Sequence, residues 1–315
     1  DLLKDDYFSY MNQYARVETN YDMGTFDFAV DGTEGVINFY PTNYEFNDYD
    51  VTCLFYNLTD SLSGIASRDF GDVVKIISES TSGSTCNVVS IGSTFTSVKG
   101  IVAVIGDNGE HYFTEYNATR NGSQIEFLEY GELNNNNLSF YATGSIGTFY
   151  PYISGSNLNI DFIPYAGIGI TVNSLNIAIG NTSSIGIGTY DLQYARLQSN
   201  YVSISSSPTP TQNVVSEFSD VYGGFYCILQ ATNKNTGDVY FSEISSVISD
   251  SEIFCVEYAE IATSSGLGTI GFNFSGSNTQ LTFTPIANTD VEVRTFTNAL
   301  KFARSEEHTS ELQSH

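Results

Sequence analysis

The sequence predicts an all-β protein built from tandem antiparallel, sandwich-like modules of about 120 residues each. Three observations carry this. The 315 residues hold 22 Tyr, 22 Phe and 27 Gly, no Trp and few Lys; strand formers parted by turn formers make sheets, not long helices. Apolar and polar residues alternate at period two, as in a sheet with one face on a core. One pattern then returns along the chain, the mark of a repeat architecture.

The returning pattern occupies Gly24–Pro41, Gly147–Pro164 and Gly268–Pro285, which align without a gap. They share Gly24/Gly147/Gly268, Thr25/Thr148/Thr269, Gly32/Gly155/Gly276, Phe39/Phe162/Phe283 and Pro41/Pro164/Pro285. Their spacings are 123 residues (147 − 24) and 121 residues (268 − 147). Each window reads as a β-hairpin. The first strand alternates Phe26, Phe28, Val30, then Phe149, Pro151, Ile153, then Ile270, Phe272, Phe274. Asp31-Gly32, Ser154-Gly155 and Ser275-Gly276 make the turn, where Gly supplies positive φ. The second strand puts Ile37/Phe39, Ile160/Phe162 and Leu281/Phe283 on one face, with Asn38, Asp161 and Thr282 on the other. Pro ends it, since it cannot donate to a ladder. A further strand comes next at Val51/Cys53, Ile170/Val172 and Val291/Val293.

A second match lies upstream. Tyr112-Phe113-Thr114-Glu115 aligns with Tyr240-Phe241-Ser242-Glu243, and Glu129-Tyr130 with Glu257-Tyr258, at an offset of 128 residues (240 − 112). Asp107-Asn108-Gly109 and Asn235-Thr236-Gly237 read as the hairpin turns before this strand. The fall in offset from 128 to 121 places seven extra residues around Asn134–Asn137. Tyr14-Ala15-Arg16-Val17 matches Tyr258-Ala259-Glu260-Ile261, so the first module keeps only its second half. The expected division is 1–58 for that half module, 59–180 and 181–303 for two complete modules, and 304–315 for foreign sequence. Arg304–His315 reads RSEEHTSELQSH, an in-frame translation of a common short-read sequencing adapter. Asp1 opens on strand-like text with no initiator Met, signal or transit segment. Both native termini are therefore expected to lie elsewhere.

The chain carries 11 basic and 36 acidic residues, a formal charge of −25. Without the adapter the charge is about −23 and His111 is the only histidine. Such a chain repels nucleic acid and anionic membranes, so neither is an expected partner. The longest apolar run, Gly167–Gly180, is broken by Gly169, Thr171, Asn173, Ser174 and Asn176, too short and polar to span a bilayer. Cys227 and Cys255 fall on strands that read as neighbours. Phe127 occupies the Cys255 position one module earlier, so a buried free thiol is expected there. Cys53 and Cys86 complete no disulfide framework, which suits assembly in a reducing cytoplasm.

Candidate chemistry is sparse. A nucleophilic triad needs a histidine, and His111 reads as an exposed residue opening a strand. Glu115 with Glu129, and Glu243 with Glu257, are the carboxylate pairs that could serve glycoside hydrolysis. They recur from module to module, as cross-strand supports do, and Gln13 replaces the second in the first module. Asn47-Asp48-Tyr49-Asp50 lacks the spacing of a calcium loop and reads as solvated. Sequons at Asn57, Asn117, Asn121, Asn137, Asn181 and Asn273 are expected by chance in so Asn-, Ser- and Thr-rich a chain. No catalytic, cofactor or metal residues are assigned, no cofactor is expected, and the chain does not read as an enzyme.

Four segments of the third module carry a resemblance: ATNKNTGDVYFSE at Ala231–Glu243, EYAEI at Glu257–Ile261, LGT at Leu267–Thr269, and FSGSN, LTFTP and VEVRT within Phe274–Thr295. The module resembles one repeated in large virion structural proteins of contractile-tailed marine cyanophages and related ocean phages. The resemblance covers the third module, the second with its insertion, and the surviving half of the first, where Arg16 stands at an acidic position. It implies a tail- or fibre-associated component of the virion, assembled in the host cytoplasm among other virion proteins, homo-oligomeric, with no catalytic residues. A carbohydrate- or surface-binding adhesin module, contacting a host cell-surface glycan, is the alternative. Tyr150 and Tyr152, expected on the face away from the core, would favour it; the third module has Gly271 and Asn273 there.

Overall fold

The computed structural model describes residues 2–4, 9–11, 24–31, 34–42, 64–68, 71–80, 84–107, 110–134, 146–165, 169–180, 188–191, 195–248 and 252–301. The regular structure of these residues is antiparallel β throughout. Two hairpins come first: β1 (Leu2–Lys4) with β2 (Ser9–Met11), and β3 (Gly24–Asp31) with β4 (Glu34–Pro41).

Next comes a middle unit, made of β5 (Gly64–Arg68), β6 (Gly71–Ser80), β7 (Cys86–Ile91), β8 (Phe95–Gly106), β9 (His111–Asn121), β10 (Gln124–Asn134), β11 (Gly147–Ser154), β12 (Asn157–Pro164) and β13 (Ile170–Gly180). It forms a six-stranded sheet, β10-β9-β8-β13-β6-β5, and a three-stranded sheet, β11-β12-β7. The last unit comprises β14 (Gly188–Asp191), β15 (Ala195–Ile204), β16 (Asn213–Phe218), β17 (Tyr222–Asn233), β18 (Val239–Ile248), β19 (Ile253–Ala262), β20 (Gly268–Ser275), β21 (Asn278–Pro285) and β22 (Val291–Lys301). Its sheets run β19-β18-β17-β22-β15-β14 and β20-β21-β16. Strand for strand, the two orders are the same.

Register agrees as well as order. Phe162 pairs with Cys86 and Phe283 with Asn213, with a ladder irregularity nearby at Ile160/Asp161 and at Val214/Ser216. The outer ladders break between Tyr130 and Leu133 and between Phe241 and Glu243. In the first of these bulges Gly131 takes φ 69°, and in the second Ala259 takes φ 52°. A left-handed residue is cheap for Gly and strained for Ala.

In each unit the two sheets close on one core. Val98, Val102, Tyr112 and Tyr116 of the large sheet meet Val89, Leu158, Ile160 and Phe162 of the small one. In the last unit Cys227, Leu229 and Ile244 meet Val215, Leu281 and Phe283. Each is a β-sandwich, held by the burial of alternate residues from both inner faces. The shared glycine and phenylalanine of the repeat now have a steric reason. A Cβ on Gly147 would overlap the Phe162 ring and the Ile163 carbonyl; one on Gly268 would overlap Phe283 and the Thr284 carbonyl. Gly24 stands in the same relation to Phe39 and Tyr40. The glycine leaves room for the ring that fills the core.

Several expectations change. The strand after each hairpin starts at Ile170 and Val291, as read, and it lies at the centre of the large sheet. Not every alternating residue is covered: Phe26 is 38% exposed, and Phe274, on the edge strand β20, is 43% exposed. Cys227 and Cys255 are not neighbours, since β18 threads between their strands. Cys255 is free but exposed: a thiol is too short to reach the core that Phe127 touches through Tyr116 and Phe149. The turns at Gly155 and Gly276 take φ 60° and 62°, as a tight hairpin needs. Gly32, Asn108-Gly109, Tyr14–Val17, Val51/Cys53, the Asn47–Asp50 loop, Asn57, Asn135–Asn137, Asn181 and Arg304–His315 lie outside the described residues.

Candidate functional site: the joint between the units

The carboxylates singled out in the sequence are brought together in a different combination. Glu115 pairs across the ladder with Tyr130, and Glu129 with Tyr116, so Glu115 and Glu129 lie on opposite faces of their sheet. Glu257 and Glu243 are split in the same way. The inward-facing member of each pair supports a tyrosine: Tyr112 Oη donates to Glu129 Oε1 and Tyr240 Oη to Glu257 Oε1, both at 2.6 Å. Burial, then the adjacent carboxylate, raises both phenols well above their ordinary range. Burial in turn raises the Glu129 carboxyl.

Glu115 and Glu243 face outward, and there the large sheets of the two units meet. Lys99 of β8 lies between them. Its ammonium donates to Glu115 Oε2 and Tyr130 Oη within its own unit. Across the joint it donates to Glu243 Oε1 and Oε2 at 3.0 and 3.3 Å. Asn117 Nδ2 donates to the same carboxylate at 2.8 Å and to the Ala259 carbonyl at 3.0 Å. Tyr226 Oη donates to Glu243 Oε2 at 2.5 Å, and Tyr130 Oη to Glu243 Oε1. Desolvation, then the Glu243 charge, holds the Tyr226 and Tyr258 phenols above their ordinary range.

Lys99, Glu115 and Glu243 are 2%, 5% and 1% exposed. Burying these charges is expensive, and the cost is offset only because each meets partners in good geometry. Beside them Ile177, Ile179 and Leu128 pack on Ile228, Phe241, Ile261 and Phe296. At the rim, Asn121 Nδ2 donates to Asp238 Oδ1 at 3.0 Å and Gln124 Nε2 to the Thr263 carbonyl at 2.6 Å. The result is an apolar contact with a charged lock inside it. Glu115 and Glu243 are covered by protein on every side, whereas Glu129 and Glu257 are half-buried.

The joint has a regular geometry. On the middle unit, Ile177, Lys99, Asn117 and Leu128 stand side by side across four strands. They lie against Phe296, Ile228, Glu243 and Tyr258, a similar row across four strands of the last unit. Sequence reasoning singled out the glutamates and passed over Lys99. The signal was available: a lysine in the apolar strand FTSVKGIVAVIG of a chain with 11 basic residues.

The other candidates fall elsewhere. His111 opens β9, as read, but is half-buried rather than exposed, and Asn117 is fully buried in the joint. An open cleft of about 500 Å³ at the rim includes Arg120, Asn121, Ser156 and Gly237. The Arg120 guanidinium spends its donors on the Phe95, Ser156 and Gly92 carbonyls, so it serves the loops around it. Tyr150, 54% exposed, stacks on Tyr152 with centroids 5.5 Å apart on the outer face of the small sheet. Among the described residues no three His, Cys, Asp or Glu side chains stand where they could share a metal ion. Comparison of the chain with family models, curated proteins and solved structures finds no match.

Proposed function

We propose that the chain is a structural component of a phage virion, tail- or fibre-associated, in which copies of one β module act as a spacer. The observation that carries the reading is the joint: two units of one strand order and one register, locked through buried polar and apolar contacts. Units with separate cores let reach grow by adding copies, with no redesign of the fold. A rigid joint converts that string into a strut, which a tail or fibre needs. The resemblance of the module to marine phage structural proteins supplies the setting, with other virion proteins as partners. The net charge of −25 keeps long arrays apart before assembly. Antibody raised against residues 59–303 should decorate the tail region of purified particles in electron micrographs. Label confined to the lysate, or glycan or peptide hydrolysis by the purified chain, would overturn the reading.

One observation favours a second role, contact with a host-surface glycan. The stacked Tyr150 and Tyr152 present an aromatic face beside Asp161, whose Oδ1 also accepts from Asn87 Nδ2 at 3.0 Å. Aromatic faces flanked by polar groups suit sugar rings. A glycan array on which Tyr150→Ala and the parent chain give the same signals would remove this role.

A further inference from the structure

The joint is head-to-tail, and its two sides occur on both units. The row Ile177, Lys99, Asn117, Leu128 has its counterpart on the last unit in Asn298, Tyr226, Ser245, Val256, paired in the same order across β22, β17, β18 and β19. The opposing row Phe296, Ile228, Glu243, Tyr258 has its counterpart on the middle unit in Leu175, Ile101, Glu115, Tyr130. Each unit thus carries a giving row and a receiving row; one of each meets in this joint, and of the two others only Tyr130, which donates to Glu243, and Tyr226, which packs on the apolar cluster, reach its edge.

Burial is deeper over most of the joint than at the corresponding apolar places away from it. In the joint Lys99, Asn117 and Ile177 are 2%, 0% and 4% exposed, whereas Ser245, Val256 and the adjoining Val247 and Leu300 are half-buried. Asn298 stays buried, as does Glu115 under Lys99, while Leu128 and Tyr258 at the end of the joint's own rows are half-buried. On the receiving side Ile228 is fully buried in the joint, while Ile101 and Leu175 of the middle unit are half-buried. The chemistry also recurs. Both receiving rows hold a glutamate in the third place. Opposite it stand donors in both giving rows: Lys99 and Asn117 in one, Tyr226 and Ser245 in the other. Tyr226 already donates to Glu243 of its own unit, as Lys99 does to Glu115. The β1–β2 hairpin repeats the contact one step earlier. It touches β9 and β10 as those strands touch β18 and β19, and its register Leu2↔Met11 and Lys4↔Ser9 matches Ser246↔Cys255 and Ile248↔Ile253.

We infer that the outer face of the last unit around Val247, Val256 and Leu300 is the seat of a further copy of the same unit, docked by its Glu-bearing row in the same step. The inference rests on the spacer reading above and deepens it. The contact is heterologous, so it continues without closing and builds a rod. A copy of the same face is a poorer occupant, because it would set Tyr226 and Ser245 against their own kind and leave the glutamate row unused.

The test extends the full chain. Lys301 stands where Gly180 does, so residues 181–301 are appended directly after Lys301. Hydrogen exchange at β17, β18 and β19 of the original last unit should slow when the copy is added, and small-angle scattering should show a rod lengthened by one further step. Val256→Asp in the extended chain should abolish both effects, while in the unextended chain it leaves the melting temperature unchanged. Unchanged exchange with a freely tumbling copy overturns the inference. So does dimerisation of the unextended chain that Val256→Asp abolishes, since that makes the occupant a second copy of the same face. Particle labelling tests the virion role separately: a rigid joint without tail label sinks that role alone, and tail label without a rigid joint sinks this inference alone.

Discussion

Replacing Lys99 by Met removes the one ammonium that Glu115 and Glu243 share. The three groups are 2%, 5% and 1% exposed, so water cannot take its place. Removing one partner of a buried pair costs about 3–5 kcal/mol, against about 0–1 kcal/mol for an exposed one. Met keeps most of the lysine's volume, so little of the loss comes from a cavity. At roughly 2–4 °C per kcal/mol for a chain of this size, the melting temperature should fall by about 6–20 °C. Urea denaturation of the full chain gives the free energy directly. The control is Lys99→Met with Glu115→Gln and Glu243→Gln together, which removes all three charges and keeps hydrogen-bonding groups. Most of the loss should return, because an uncompensated charge is the expensive species. A Lys99→Met loss under about 1 kcal/mol, or no recovery in the triple variant, refutes the lysine as a buried lock.

Three further outcomes rest on particular residues. Ala259→Gly should stabilise the chain by about 1 kcal/mol, because φ 52° is strained for Ala and Gly131 holds the corresponding place; a lower urea midpoint would count against it. Gly268→Ala should cost about 1–3 kcal/mol by driving a methyl into Phe283 and the Thr284 carbonyl, with Phe283→Leu restoring part of the loss in a double-mutant cycle; additive losses would reject the steric account. Burial pushes the Cys227 thiol up to about 12, and burial with Glu257 raises Tyr240. The unfolded chain gives up such protons from about pH 9 and the folded chain holds them, so stability is full below that pH and falls as pH rises. The urea midpoint should therefore drop between about pH 8 and 10.5, and a flat profile would contradict the burial.

The legible part of this molecule is what depends on local pattern. Period-two alternation, Gly at the turns and Pro at the strand ends gave the hairpins Gly147–Pro164 and Gly268–Pro285 their outer bounds, while Ser154 and Ser275, read as turn residues, close the first strands. The recurrence of Gly147 with Phe162 and Gly268 with Phe283 was visible in the sequence, but that the ring fills the space the glycine leaves came only with the structure. What alternation could not give is which sheet a strand joins. Ile170–Gly180 reads as the next strand after a hairpin, yet it pairs with β6 and β8, whose residues lie more than 60 positions upstream. Nothing local selects those partners. The core selects them, by requiring a second inner face over Ile160 and Phe162.

The joint was half legible, and the missing half is instructive. Glu115 and Glu243 drew notice because they recur, and recurrence suggested a role within each module. Their partners showed a role between modules. A residue that supports its own sheet, such as Glu129 under Tyr112, and one that meets the neighbouring unit, such as Glu115, recur with equal fidelity. Parity along the strand separates them. Glu129 shares a face with Phe127, which packs on the core, whereas Glu115 lies between Thr114 and Tyr116, whose own face is inward. A recurring polar residue of outward parity, in a strand buried on both faces, therefore belongs to the contact between copies. Lys99 satisfies the same test without recurring. Its counterpart is Tyr226, which donates to the glutamate of its own unit as Lys99 does. The chemistry that recurs at this place is donation to a carboxylate, and the residue type is free to change so long as a donor remains.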